Sequence, residues 1–313
     1  MKTLIATIRP RSAFGGSIKG DTLFGQFCWA ARHRWGNDRL KKLLEGYTSG
    51  NPFLVVSDAF PSGYLPRPAW PLHRYREVPD ADRKGVKKRT WLPVHAFGSP
   101  LADWLRYSVP ESNIVDGGLA QSQAQSHNTI NRMTGTTGAG QFAPYVMTQH
   151  WFSTSLSFDL YIAHDERLED AEITDLLKDI GLCGYGRDAS IGLGKFSITE
   201  VKACDWPTQD HANAWMTLAP CAPQGLGFRA EKSFYRPFTR FGRHGDMAVH
   251  SGKPFKTPVL LADTGALLQP ECYATAVIVG QGLGGDGSLS KAIPETVHQG
   301  YAPVLPVNLE DAS

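Results

Sequence analysis

The sequence predicts an α+β protein, and three observations predict it. Strand-like and helix-like periodicities alternate over residues 1–203 in the order strand, helix, strand, insertion, strand, helix, strand. A mostly β pattern fills 204–313. Between the second helix and the closing strand lies Gly181–Lys195, with five glycines in fifteen positions.

Leu4, Ala6 and Ile8 alternate with polar neighbours and mark a first strand. A turn at Gly15–Asp21 leads to a helix whose apolar stripe is Leu23, Phe24, Phe27, Cys28, Ala31 and Trp35. Asp21 is expected to cap it and Gly36 to end it. Residues 52–57 read as a short buried strand. The sequence then changes character over 60–150, where Pro, Gly, Gln, Ser and Asn accumulate and periodicity fades. That length is too great for a plain loop, so an inserted thumb or arm is expected there. From Phe152 to Ile162 apolar and polar residues alternate strictly, which predicts one strand with a buried and a polar face. A second helix over 170–180 carries Ile173, Leu176, Leu177 and Ile180, with Gly181 at its C′ position. Phe196 and Ile198 begin the closing strand. The order is βαββαβ, the ferredoxin-like or RRM-like arrangement. In the second half, strands are expected over 215–218, 259–262, 273–279 and 302–307.

The net charge is only +2, from 32 Lys and Arg against 30 Asp and Glu, so the whole chain carries no polyanion-binding signature. Its distribution does. Residues 67–89 hold eight Lys/Arg against three acids, interleaved with Trp70 and Tyr75 and followed by Trp91. Residues 229–256 hold seven against two, interleaved with Phe234, Tyr235, Phe238, Phe241 and Phe255. Basic charge neutralises phosphates and aromatic faces stack bases. In the glycine stretch, free N–H groups with Arg187 and Lys195 are expected to cradle an anion. Lys19 stands before the first helix, whose N-terminus favours one too. G-x-x-x-x-G-K-[ST] is absent, and the glycines lead into a strand rather than a helix, which argues against P-loop and Rossmann enzymes. The five cysteines are scattered, no Cys/His spacing fits zinc, and neither a signal peptide nor an apolar membrane span is evident. A cytoplasmic protein without metal or cofactor is expected.

Four segments together resemble the RAMP superfamily of CRISPR proteins, and within it the group-five-type subunits of type III-A Csm effector complexes. They are Gly20-Asp21-Thr22-Leu23-Phe24-Gly25, Ile130-Asn131-Arg132-Met133-Thr134-Gly135, Gly184 through Phe196, and His298 through Pro306. The resemblance implies two ferredoxin-like units, 1–203 with its thumb at 60–150, and a β-rich degenerate unit at 204–313. It implies a subunit without catalytic residues that holds the 5′ handle of crRNA. That subunit sits beside the large polymerase/nuclease subunit and the backbone RAMP subunit. The family often has a His before the Gly-Asp-Thr-Leu-Phe run, where this chain has Lys19.

On this reading the RNA-binding residues are Lys19, Asn131, Arg132, Gly184, Tyr185, Gly186, Arg187, Ser190, Gly192, Gly194, Lys195, Arg236, Arg240 and Arg243. Tyr185, Tyr235, Phe238 and Phe241 are candidates for stacking on bases. The rival reading is a metal-independent RAMP endoribonuclease with a His general base, for which His33, His127 and His150 are candidates. A further rival is an interaction module whose basic patches meet acidic proteins.

Overall fold

The computed structural model describes residues 1–76, 83–186, 188–245 and 252–309. Strand β1 (Lys2–Pro10) alternates as read, with Leu4, Ala6 and Ile8 buried. Helix α1 (Gly20–Trp35) buries Leu23, Phe24, Phe27, Ala30 and Ala31 and stops at Gly36, whose N–H donates to the Arg32 carbonyl. Asp21 does not cap it. Lys19 holds the N-cap position with extended backbone and no side-chain cap, and Asp21 lies inside the first turn. There its carboxylate accepts the Thr22 N–H of the first turn and also meets a cation from the second half of the chain. A short helix not read from the sequence, α2 (Asn37–Leu44), buries only Leu43. Strand β2 (Leu54–Val56) is fully buried, as expected over 52–57.

The insertion divides into two parts. Its first part does not leave the sheet as an arm. Strands β3 (Phe60–Pro61), β4 (Tyr64–Pro66) and β5 (Trp91–Pro93), with helices α3 (Arg83–Lys88) and α4 (Trp104–Tyr107), fold back under the sheet. Trp70, Tyr75, Leu92, Phe97, Leu101 and Trp104 join Met216 and Leu305 of the second half in one apolar cluster. Trp70 and Tyr75 are 5% and 4% exposed, so the stacking role read for them is corrected: their rings are core. The second part does protrude. Strands β6 (Ala120–His127) and β7 (Tyr145–Phe152) pair antiparallel from Ala120↔Phe152 to His127↔Tyr145.

Phe152 therefore belongs to this hairpin, and the single strand expected over 152–162 is two. A turn at 153–157 separates β7 from β8 (Phe158–His164). The polar face expected of β8 is reduced to the half-buried Asp159. Phe158, Leu160 and Ile162 meet the helices, while Tyr161 and Ala163 meet the folded-back insertion. Helix α5 (Asp170–Cys183) starts with a capping box between Glu169 and Glu172. It runs through Gly181, and Gly184 takes the C-cap with φ 103°. Position 181 is therefore not the helix end, and its glycine serves a close approach: a Cβ there would meet the Phe196 carbonyl oxygen. Strand β9 (Phe196–Ala203) closes the sheet. Its order is β2-β8-β1-β9, every pair antiparallel, with β3 added at β8.

The second half adds β10 (Ala214–Thr217), β11 (Pro237–Arg240), β12 (Val259–Ala262), β13 (Leu267–Leu268), β14 (Ile278–Gly284) and β15 (Val297–Val307). A second antiparallel sheet has the order β13-β10-β15-β14, and β11 and β12 form a separate ribbon. The strand expected over 273–279 lies five residues later. Its glycines interrupt the apolar pattern, and Gly282 is required because a Cβ would stand 2.4 Å from the Tyr47 carbonyl oxygen. The halves share buried contacts. The Gln299 amide both accepts from the Val56 N–H and donates to its carbonyl, and the Tyr301 hydroxyl donates to the Tyr47 carbonyl.

Among the described residues no helix is long and apolar enough to cross a membrane, and no cluster of His, Cys, Asp and Glu is suited to a metal. Cys183 and Cys272 are exposed, whereas burial pushes the Cys221 thiol up to about 12. Iodoacetamide at pH 8 is expected to label the first two and to spare Cys221 until denaturant is added. Rapid labelling of Cys221 in the native protein would show that the second sheet opens.

Candidate nucleic-acid interface

The glycine-rich stretch is a folded knot rather than an open cradle. Gly184, Gly186, Gly192 and Gly194 all have positive φ. The N–H groups of Gly184, Tyr185, Ile191, Gly192, Leu193 and Gly194 donate to backbone carbonyls, and that of Lys195 donates to Ser12 Oγ. The expectation that these amides face a phosphate is corrected, since the fold uses them. The Lys195 and Ser190 side chains are exposed on the knot, and Arg187 lies outside the described residues.

Tyr185 ties this knot to α1. Its hydroxyl accepts the Lys19 N–H at 2.9 Å, and its ring is 6% exposed beside Phe14. That ring offers no free face to a base. Burial drives its phenol well above the usual tyrosine range.

Lys19 and Arg240 sit in a buried charge network that joins the two halves. Lys19 Nζ is 2.9 Å from both Asp58 Oδ2 and Asp263 Oδ1. Burial alone would lower the lysine, but the two carboxylates more than reverse this and keep it charged. Burial pushes the Asp58 carboxyl up, against the pull of Lys19, the Thr264 hydroxyl and the Gly20 N–H. Arg240 binds Asp21 through two hydrogen bonds of 2.6 and 2.7 Å, and His298 Nε2 stands 3.4 Å from Asp21 Oδ2. Burial would raise Asp21; the hydrogen bonds and charges of His298 and Arg240 outweigh it and hold the carboxyl far below its ordinary value. Phe238 lies between the two cations, 5.3 Å from Lys19 Nζ and 4.8 Å from the Arg240 guanidinium carbon. Lys19, Phe238 and Arg240 are thus engaged inside the protein. No local spacing points to Asp58, Asp263 and Thr264, because their partners lie up to hundreds of residues away, and His298 stands out only as the start of a family-like segment.

The other predicted residues lie apart. At the hairpin tip Asn131 Oδ1 accepts the Met133 N–H, and the Asn131 carbonyl accepts the N–H groups of Thr134 and Gly135. Asn131 therefore shapes the turn, while Arg132 is exposed and Met133 is 94% exposed at the apex. Arg236 and Arg243 are exposed on and beyond the β11–β12 ribbon. His127 stacks on Tyr145, His150 Nδ1 is 3.0 Å from Ser122 Oγ, and His33 sits beside Trp29.

An antiparallel sheet packed under two helices, a protruding hairpin and a second sheet joined through buried ion pairs define an α+β fold. No protein-family model and no curated protein matches the sequence. Among solved structures, 99% of the chain covers 100% of a chain in a Csm1–Csm4 cassette crystallised with pppApA, at TM-score 0.63 and 17% identity. The same cassette with AMPPNP gives 0.61 at 17%, again over 99% and 100%. A chain of the Csm3–Csm4 subcomplex of the type III-A CRISPR–Cas interference complex gives 0.60 at 15%, over 98% and 100%. Csm4 is common to these assemblies, and this chain is similar in fold, over its whole length, to chains in them.

Proposed function

We propose that this chain is the non-catalytic subunit of a type III CRISPR effector complex that holds the 5′ handle of crRNA. In that role it bridges the large polymerase/nuclease subunit to the backbone RAMP subunits. The observation that carries the reading is the full-length correspondence of fold with chains from two assemblies, one containing Csm1 and the other Csm3. The β2-β8-β1-β9 order supports a ferredoxin-like first unit.

The contacts follow exposure. Lys195 and Ser190 on the knot, Arg132 at the hairpin apex, and Arg236 and Arg243 near the ribbon are the polar groups offered to phosphates. Arg187 belongs to the same proposal by its place in the sequence. Tyr185, Lys19 and Arg240 act by fixing the knot and α1 to the second half. Gly184, Gly186, Gly192 and Gly194 shape the knot, and Asn131 shapes the tip.

The test is co-purification from the native host with sequencing of bound RNA. A shared 5′ tag derived from the repeat is expected. Purified protein should bind handle-bearing RNA with a steep salt dependence, and Lys195→Ala and Arg132→Ala should each lower the log–log salt slope by about one. Unchanged slopes in both variants would remove these side chains from the interface. The Ser122–His150 contact is the specific observation that favours the endoribonuclease reading. Cleavage of crRNA by the purified chain that His150→Ala abolishes would establish that reading in place of the non-catalytic one.

A further inference from the structure

Beyond β11 and β12 the two chains stay paired. The Lys256 N–H donates to the Gly242 carbonyl, the His244 N–H donates to the Pro254 carbonyl, and Arg243 bridges Phe255. This register sorts the side chains by face. Gly242, His244, Pro254 and Lys256 turn inward, all buried or half-buried. Phe241, Arg243, Phe255 and Thr257 turn outward, and all four are exposed. Phe241 is 74% and Phe255 71% exposed, although phenylalanine is among the residues most often fully buried.

The outward face has the parts of a base-stacking platform. Phe241 and Phe255 are diagonal neighbours across the pair, a spacing of about 7–8 Å in an antiparallel ladder. That is about twice the contact distance between carbon atoms, room for one flat ring between two others. The Arg243 guanidinium carbon is 5.8 Å from the centroid of the Phe255 ring, on the same face. Elsewhere in the same segment Arg229, Lys232, Arg236 and Lys253 are also exposed, against Glu231 among the described acids of the segment. Inward, the same ribbon is anchored to α1: Arg240 holds Asp21, and a Cβ on Gly245 would meet the Trp29 indole at 2.8 Å. The platform is therefore set on a fixed element.

We infer that Phe241, Arg243 and Phe255 form a second RNA subsite, at which single-stranded RNA stacks a nucleobase on the two phenyl rings and places a phosphate on Arg243. This rests on the RNA-binding reading above and extends it to base contacts on the second unit. Apolar stacking supplies affinity without sequence choice, because every base has a π face. Arg243 supplies the charge that aligns the backbone.

The test uses the full chain and two fluorescein-labelled probes of equal length and charge, a single-stranded RNA and its abasic analogue, at fixed salt. Phe241→Ala/Phe255→Ala is expected to weaken binding of the base-bearing probe about tenfold and to leave the abasic probe unchanged. Both side chains are exposed, so the thermal midpoint should not move. Phe241→Trp should give indole emission that is quenched by the base-bearing probe and not by the abasic one. Equal affinity of the double variant and the native chain for the base-bearing probe, with Lys195→Ala still weakening it, would overturn the platform and leave the RNA reading standing. Failure of the native chain to bind either probe would overturn both. Full RNA affinity combined with loss of assembly with the neighbouring protein subunits would assign the face to a protein and overturn the inference.

Discussion

Arg240→Ala is expected to cost about 3 kcal/mol of stability at pH 7, seen as a lowered urea midpoint with the slope unchanged. The Asp21 side chain has no exposed surface, and both its oxygens accept from Arg240. Removing the guanidinium leaves a buried carboxylate without its main partner, which costs far more than the pair itself contributes. The Arg240 side chain keeps 24% exposure, so water partly relieves the loss and sets the value at the lower end of that range. Replacing both partners, as in Asp21→Asn/Arg240→Met, should recover much of it. The pH dependence has a definite sign. The Asp21 pKa is lower in the folded state than its ordinary 3.8, so its contribution is complete above that value and is lost as pH falls below it. The stability gap between native protein and Arg240→Ala should therefore narrow below about pH 4. A gap that stays constant into acid would mean that the pair is not the source of the loss.

The same pair shows what the sequence could and could not reveal. Period-two and helical patterns located β1, α1, α5 and β9, because each of them buries one stripe against its neighbours, and a short apolar run located the fully buried β2. They misplaced elements where tertiary contact changes the rule. Tyr161 looks like the outer face of β8, but Phe60 and Trp206 pack on its ring and it joins the second apolar cluster. The strand β14 is hidden by glycines that close approaches require, of Tyr47 at Gly282, Gly300 at Gly280 and Thr296 at Gly284. Asp21 has the sequence signature of a cap, yet its partner is Arg240, 219 positions away. The basic segments were read correctly as charge, but not which cations face outward. Of those in 229–256, Arg240 and Lys256 turn toward α1, and only the strand register separates them from Arg243. The four family-like segments were legible as a set, and they proved to lie in α1, the hairpin tip, the glycine knot and β15.

Gly194→Ala is expected to be among the most damaging single substitutions in the knot, at about 3 kcal/mol or more, whereas Gly192→Ala should cost about 1–2 kcal/mol. Both residues have positive φ, 76° and 92°, so both variants bear the strain of a side chain in the left-handed region. Only Gly194 also meets backbone: a Cβ there would stand 2.1 Å from the Tyr185 carbonyl oxygen and 2.5 Å from its nitrogen. At Gly192 nothing lies within 4 Å. Relieving the clash at Gly194 requires moving the backbone of Tyr185, whose N–H donates to the Gly194 carbonyl, while the Gly194 N–H donates to the Ala13 carbonyl. Tyr185 would then lose its hold on the Lys19 N–H, and the start of α1 would loosen with it. The consequence reaches function in a way that separates two roles for glycine. If the amides cradled phosphate, Gly192→Ala and Gly194→Ala would weaken RNA binding together. Because the amides are consumed within the fold, Gly192→Ala should leave RNA affinity intact while Gly194→Ala lowers it in step with lost stability. Paired urea melts and RNA titrations of the two variants decide the matter, and equal costs in both would refute the close-approach explanation of the knot.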